Sequence, residues 1–332
     1  MVESAEPVAA GDPRSQPTLA LPRWVTAALA AVLVAAVVLR LLALSPLWLD
    51  EAQSVEIARR SVSGLLSALR HDGSPPAYYL LLHGWMTLFG TSSLAVRALS
   101  GVFSVAALPL MWLAARRVGA STREAWVATV LLATNPFAVR YATETRMYSL
   151  VIVLWLVAFL VYRRVWLTGG IGWMVSATLV TGAMVLTHYW SLFLVATAGL
   201  AALAVVRRQP APAGRVLGCL AVGCLALVPW LPSMLFQMRH TGAPWGSPPS
   251  LATPIEAPNP WAGAGPVGTS DALSFCYYVL IVLALVGTAT ATGVLVGSRV
   301  RPAPARLLAV AFTTMFIGCL VNIVLGSAYA SR

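Results

Sequence analysis

The chain contains no lysine, and acidic residues are scarce. All 22 of its basic residues are arginine, against 11 aspartates and glutamates, and only 10% of the 332 residues are charged. A soluble domain carries about 25% charged residues, so a water-facing globular surface cannot be built along most of this length. An all-arginine complement reads as codon bias in a GC-rich, bacterial genome, not as chemistry. The net charge of +11 suits an anionic membrane surface and does not by itself imply nucleic acid. There are just four cysteines, Cys219, Cys224, Cys276 and Cys319, all in apolar stretches without metal-ligand spacing or histidine neighbours. They read as buried packing residues. There is no Walker loop and no GxGxxG in a strand-turn-helix setting, which argues against a nucleotide site.

What fills the chain instead is hydrophobic sequence, 59% of it, at a mean hydropathy of +0.80. Several apolar runs reach the ~18 residues that mark a membrane span. The expected fold class is all-α: a polytopic transmembrane bundle of about nine spans. Residues 1–23, rich in Ala, Pro and Ser, read as a disordered cytoplasmic tail, and 24–332 as the transmembrane domain. Spans are expected near 24–44, 95–115, 124–140, 147–163, 171–188, 190–206, 216–236, 273–297 and 307–328. The 13-residue stretch Ala77 to Phe89 is short for a span and fits an interfacial helix. Arginine placement supports this. With 77–89 not crossing and the N-terminus cytoplasmic, 13 arginines fall inside and 9 outside; if 77–89 crosses, the split is 7 and 15.

That topology puts Asp50, Glu51, Asp72, Glu144 and His188 outside, with Arg40, Arg97, Arg140, Arg146, Arg239 and Arg332. The first external loop, 45–94, opens on "WLDEAQS". Val55, Ala58, Val62, Leu65, Leu66 and Leu69 recur at helical spacing, so 50–70 reads as an amphipathic helix on the external surface. Asp50 is open to two readings, an N-cap with Gln53 three residues on or a catalytic base, and the two are compatible. Asp72-Gly73 and Pro75-Pro76 form either a simple loop or a rigid elbow that returns Asp72, Tyr78 and Tyr79 to the surface of Asp50. In "RYATETRMYS", Arg140, Glu144, Arg146 and Tyr148 crowd one connection. A salt-bridge cluster and a forked phosphate site both fit that composition. His188, in "THYWS", is an interfacial histidine or a site residue. The proline-rich external segment 237–271 is a functional cover or a connector.

The order of "WLDEAQS", "HDGSPPAYYLLLHGWMTLFG", "RALSGVFSVAALPLMWLAARRVG" and "NPFAVRYATETRMYSL" resembles the C-superfold membrane glycosyltransferases. The nearest group is glycosyltransferase family 39, the protein O-mannosyltransferase and aminoarabinose transferase type, and the likeness covers about residues 30–190. It implies a helix bundle whose first external loop folds into surface helices around the active site. It implies inverting transfer of a mannose- or arabinose-like sugar from a polyprenyl-phosphate donor to an acceptor hydroxyl, on the outside of a bacterial plasma membrane. The acceptor would be a protein, a glycolipid or a cell-wall glycan. Asp50 corresponds to the catalytic base and Glu51 to the second acid. Arg140 and Arg146 would hold the phosphate, and Asp72, Tyr78, Tyr79, Glu144, Tyr148 and His188 would line the sugar and acceptor side. No cofactor is required; the carboxylates could take a divalent ion, but nothing demands one. Ser74 stands where many relatives have a basic residue, and the chain ends at "SAYASR", where similar proteins continue, so it reads as truncated. The rival class is a transporter or flippase of lipid-linked sugar, which would place ionisable groups at the bilayer midplane.

Overall fold

The computed structural model describes residues 23–43 and 45–241, and helical residues scattered between 310 and 321. Every regular element among the described residues is helical. In chain order these are α1 (Arg23–Leu41), α2 (Leu49–Ala58), α3 (Val62–Asp72), α4 (Ala77–Phe89), α5 (Ser93–Arg117), α6 (Thr122–Thr134), α7 (Pro136–Ala142), α8 (Tyr148–Thr168), α9 (Ile171–Thr187), α10 (Ser191–Val205) and α11 (Pro210–Cys224). A 3-10 turn (Leu225–Trp230) then leads into α12 (Leu231–His240). The tail 1–22, the 242–271 part of the proline-rich segment, the span expected at 273–297 and most of that at 307–328 lie outside the described residues.

Among the described residues, three stretches are long and apolar enough to cross a membrane: α5, α8 and the continuous run Pro210–His240. Shorter apolar helices fill Ala27–Leu41, Ile171–Thr187 and Ser191–Val205. The expected span 124–140 is instead two helices, α6 and α7. Pro136 causes the break: it biases Asn135 to an extended backbone (φ −62°, ψ 123°) and supplies no N–H to the Leu132 carbonyl. Asn135 then caps α7, accepting from Ala138 N–H at 2.9 Å. Arg40, at the end of α1 and 1% exposed, closes the open end of α6. Its guanidinium donates to the carbonyls of Leu132 (2.9 Å) and Ala133 (2.6 Å), and to Ser104 Oγ (2.9 Å). Arg40 is thus buried for a structural reason: it stands in for the donor that the proline lacks. At Gly101 on α5, a Cβ would lie 2.6 Å from the Arg40 carbonyl oxygen, so glycine permits the close approach of α1 and α5.

The amphipathic segment 50–70 is also two helices. The first ends at Ala58, and Ser61 caps the second, accepting from Gly64 N–H at 3.3 Å. The apolar face points into protein. Val55, Ala58, Leu65 and Leu69 are buried in one core with Tyr78, Tyr79 and Leu82 of α4, Val96 and Leu99 of α5, Val185 of α9 and Trp230. At about 1.5 Å per residue, α4 is about 20 Å long, too short to cross a bilayer. A second core joins α8, α9, α10 and α11 through Val165, Ala177, Ala202 and Ala213.

Candidate active site

The first turn of α2 is where the chain commits its acids. Trp48, not Asp50, is the N-cap, and Asp50 and Glu51 are the second and third helical residues. Helix starts leave N–H groups unsatisfied and favour negative charge. Glu51 uses this by reaching back to the Trp48 N–H (3.2 Å). It is fully buried, and its remaining acceptor capacity is taken by Arg97 of α5, whose Nε and Nη2 donate at 2.8 and 2.6 Å, and by Thr145 N–H at 2.8 Å. Burial pushes the Glu51 carboxyl up, but these donors and the guanidinium charge outweigh it and hold the group below its ordinary value. Arg97 also grips the carbonyls of Ala43, Ser45 and Pro46 in the strap between α1 and α2. Glu51 and Arg97 therefore form a clamp tying α1, α2, α5 and the 143–147 connection into one frame.

Asp50 stands beside that clamp, 7% exposed, with its carboxylate 4.0 Å from Arg146 Nη2. Ser54, one turn on, donates to the Asp50 carbonyl at 2.7 Å and receives Arg146 Nη1 at 3.5 Å. Arg146 is 8% exposed and both of these contacts are long, so among the described residues most of its five donors keep capacity for a ligand. Its backbone is fixed by a relay in which Tyr78 Oη meets Ser100 Oγ (3.2 Å) and Ser100 Oγ donates to the Arg146 carbonyl (3.0 Å).

The Gly73 turn, with φ 89°, reverses the chain. Asp72 then accepts from Gln53 Nε2 of α2 (2.5 Å) and from Tyr79 Oη of α4 (3.0 Å). The elbow thus brings Asp72, Tyr78 and Tyr79 to the side of α2 that carries Asp50. Burial raises both phenols, Tyr79 to about 12 with the Asp72 charge adding to it, so both are hydrogen-bond donors at neutral pH.

On the other flank, Arg140 Nε donates to Glu144 Oε1 at 2.7 Å. Glu144 is buried, and its Oε2 has no hydrogen-bond partner among the described residues. Burial raises the Glu144 carboxyl, a shift Arg140 only partly offsets and the nearby Glu51 charge adds to. Tyr148 packs at a tilt against Tyr141 (4.1 Å between centroids, 51° between planes) and lies 5.8 Å from the His188 ring. His188 ends α9, and its Nδ1 accepts the Trp190 N–H at 3.2 Å, leaving the proton of the neutral ring on Nε2. Burial and the Arg146 charge push His188 down to about 4, so it is neutral at physiological pH. Among the described residues, no three His, Cys, Asp or Glu side chains are placed to hold a metal ion.

Sequence reading gave no role to Arg97, Ser54, Ser100 or Gln237. Gln237 is 1% exposed; its Nε2 donates to the Leu69 (2.7 Å) and Ser74 (3.2 Å) carbonyls, and its Oε1 accepts from Tyr189, so α12 buttresses the elbow from behind. Its signal was a lone amide in an apolar run, which expects a partner.

Residues 73–235 match the family of dolichyl-phosphate-mannose-protein mannosyltransferases. Over that segment, just under half of the chain, the sequence is similar to glycosyltransferase family 39. Its long apolar helices fit a membrane-embedded protein. The matched segment includes Tyr78, Tyr79, Arg97, Arg140, Glu144, Arg146, Tyr148 and His188, and stops short of Asp50 and Glu51 on the N-terminal side. A solved structure, the protein O-mannosyltransferase Pmt1-Pmt2 complex of S. cerevisiae bound to the sugar donor, is similar at 14% identity and a TM-score of 0.44. That match covers 65% of this chain and 35% of the yeast chain, so the present chain spans about a third of that neighbour. No curated protein matches the chain.

Proposed function

We propose that this family 39-like chain transfers a mannose- or arabinose-like sugar from a polyprenyl-phosphate donor to an acceptor hydroxyl, with inversion, at the external face of a bacterial plasma membrane. In this reading the full bundle has nine spans with a cytoplasmic N-terminus. The acceptor is a hydroxyl of a protein, a glycolipid or a cell-wall glycan. Membrane lipids surround the protein, and no nucleic acid takes part.

The observation that carries the reading is the buried juxtaposition of Asp50 and Arg146, 4.0 Å apart, with Arg146 Nη1 3.5 Å from Ser54 Oγ. An acceptor hydroxyl is a weak nucleophile at neutral pH and needs a positioned base. Asp50 takes its proton as the new bond forms between the acceptor oxygen and the anomeric carbon. The bond from that carbon to the phosphate oxygen breaks, and its electron pair leaves with the polyprenyl phosphate. The charge that grows there falls to Arg146 and to the half-exposed Arg140, which present preorganised cations. Glu51 acts through its neighbours as a positioning residue, clamping the helix turn that aims Asp50. Tyr78, Tyr79, Asp72, Glu144, Tyr148 and His188 line the sugar and acceptor side, and the unpaired Glu144 Oε2 is suited to accept from a sugar hydroxyl.

The test is transfer from radiolabelled polyprenyl-phosphate mannose and arabinose in membranes expressing the chain, against Asp50→Asn. A loss of about 10²–10⁴-fold at normal expression is expected for a general base. Undiminished transfer in the variant would remove Asp50 from the mechanism, and no transfer by the unmutated chain with either donor would refute the assignment.

A further inference from the structure

The opposite end of α5 carries a feature that sugar transfer does not use. α1, α5 and α6 leave a cavity of about 400 Å³ lined by Leu33, Leu108, Pro109, Trp112, Trp126 and Thr129. Leu108 and Thr129 are buried at its floor, while Pro109 and Trp126 are exposed at its rim. The lining is apolar, since the Thr129 hydroxyl is spent on the Ala125 carbonyl (2.9 Å). Trp112 Nε1 is the exception: it is buried and has no hydrogen-bond partner among the described residues. An indole N–H held in apolar surroundings without an acceptor is costly, and buried Trp N–H groups usually find one. An occupant that fits must therefore be largely apolar and carry one acceptor oxygen.

Depth narrows the choice. Trp112 lies five residues before Arg117, the last residue of α5, which is about 7.5 Å along the axis. The headgroup layer on each side of a bilayer is about 5–7.5 Å deep, the difference between total and hydrocarbon thickness. With Arg117 at headgroup height, the indole N–H sits where hydrocarbon meets headgroup. The exposed arginines Arg116, Arg117 and Arg123 gather at this same end. The nearby acid, Glu124, is turned onto the Ser121 N–H as part of a helix cap. The site is about 22 Å along α5 from Arg97, so it is separate from the proposed active site.

We infer that this cavity binds one acyl chain of an anionic diacyl phospholipid, whose ester carbonyl accepts the Trp112 indole N–H and whose headgroup lies among Arg116, Arg117 and Arg123. The tail fills the space between Leu33, Leu108 and the two tryptophans, and the cavity volume is within the range of small-ligand sites.

The test is native mass spectrometry of the purified full chain, titrated with phosphatidylglycerol and with its diether analogue, which has the same headgroup and chains but no ester carbonyl. The wild type should retain one phosphatidylglycerol about fivefold more tightly than the diether lipid, the worth of one neutral hydrogen bond. Trp112→Phe should erase that preference. Arg116→Gln, Arg117→Gln and Arg123→Gln together should erase the preference for phosphatidylglycerol over phosphatidylcholine while keeping the ester preference. Equal retention of ester and ether lipids by the wild type overturns the inference without recourse to any variant. So does an ester preference that survives Trp112→Phe, or a chain that retains no lipid because a segment of its own fills the cavity.

Discussion

Replacing Glu51 with glutamine exchanges one carboxylate oxygen for an NH2 and leaves shape and volume almost unchanged, so the change isolates the charge. The carboxylate is fully buried and accepts from Arg97 Nε, Arg97 Nη2, Thr145 N–H and Trp48 N–H. Every one of these neighbours is a donor, so the new NH2 of glutamine must face a donor whichever way it turns. Arg97, whose side chain is only 5% exposed, loses its counter-ion. Breaking a buried pair from one side costs about 3–5 kcal/mol. For a domain of 150–250 residues each kcal/mol lowers the melting temperature by about 2–4 °C, so a fall of roughly 6–20 °C is expected. The assay is thermal unfolding of the detergent-purified protein, followed by transfer at a temperature where the variant stays folded. Transfer should fall as well, because the same clamp aims Asp50. The pH dependence gives a second readout. Glu51 is held below its ordinary 4.5, so its contribution is present above that value and disappears as pH falls through the lower folded value. The wild type should therefore lose this increment only in acid below pH 4.5, and Glu51→Gln should lack the step. A variant melting within about 2 °C of the wild type, with normal transfer, would refute the clamp.

Other substitutions probe the remaining parts. Arg146→Lys keeps the charge and loses the fork, and should lower kcat/KM for the lipid-phosphate donor by at least about tenfold with little change in melting temperature. Glu144→Gln removes a charge that burial disfavours, so stability at neutral pH should hold or rise while the donor KM increases; a large melting loss would mean the pair with Arg140 is structural. His188 is depressed to about 4, so between its ordinary 6.5 and that value the unfolded chain takes up a proton the folded chain refuses. Stability should fall as pH drops through that window, and His188→Gln should flatten the fall in a melting-versus-pH series. Gly101→Ala would push a Cβ to 2.6 Å from the Arg40 carbonyl oxygen and should cost about 1–3 kcal/mol through separation of α1 and α5, read as a lower melting temperature.

The helix class and the crowding of acids and arginines at certain span ends were legible because both are one-dimensional signals. Hydropathy runs mark helices, and charge is rare enough here that each exception stands out. The breaks were harder to see. The segment 50–70 keeps helical spacing straight through Arg59–Ser61, so its apolar pattern alone cannot reveal that Ser61 restarts the helix. In the span expected at 124–140, the break is written in Asn135-Pro136, a local signal that the surrounding hydropathy outweighed. The roles of paired charges were not legible at all, because pairing is settled by packing and not by spacing. Arg97 and Glu51 are 46 residues apart, and only the approach of α5 to the start of α2 joins them. Two adjacent acids therefore looked equivalent in sequence, although one sits in a complete shell of donors and its neighbour faces a buried guanidinium at 4.0 Å. In the proposed mechanism that asymmetry separates positioning from chemistry. The Glu51 lone pairs are all engaged, which leaves none for a proton from substrate, whereas in the proposed mechanism Asp50 faces the cation suited to a departing phosphate. The proposed assignment thus rests on the donors that surround Glu51, and Arg97 is the residue that fills its shell.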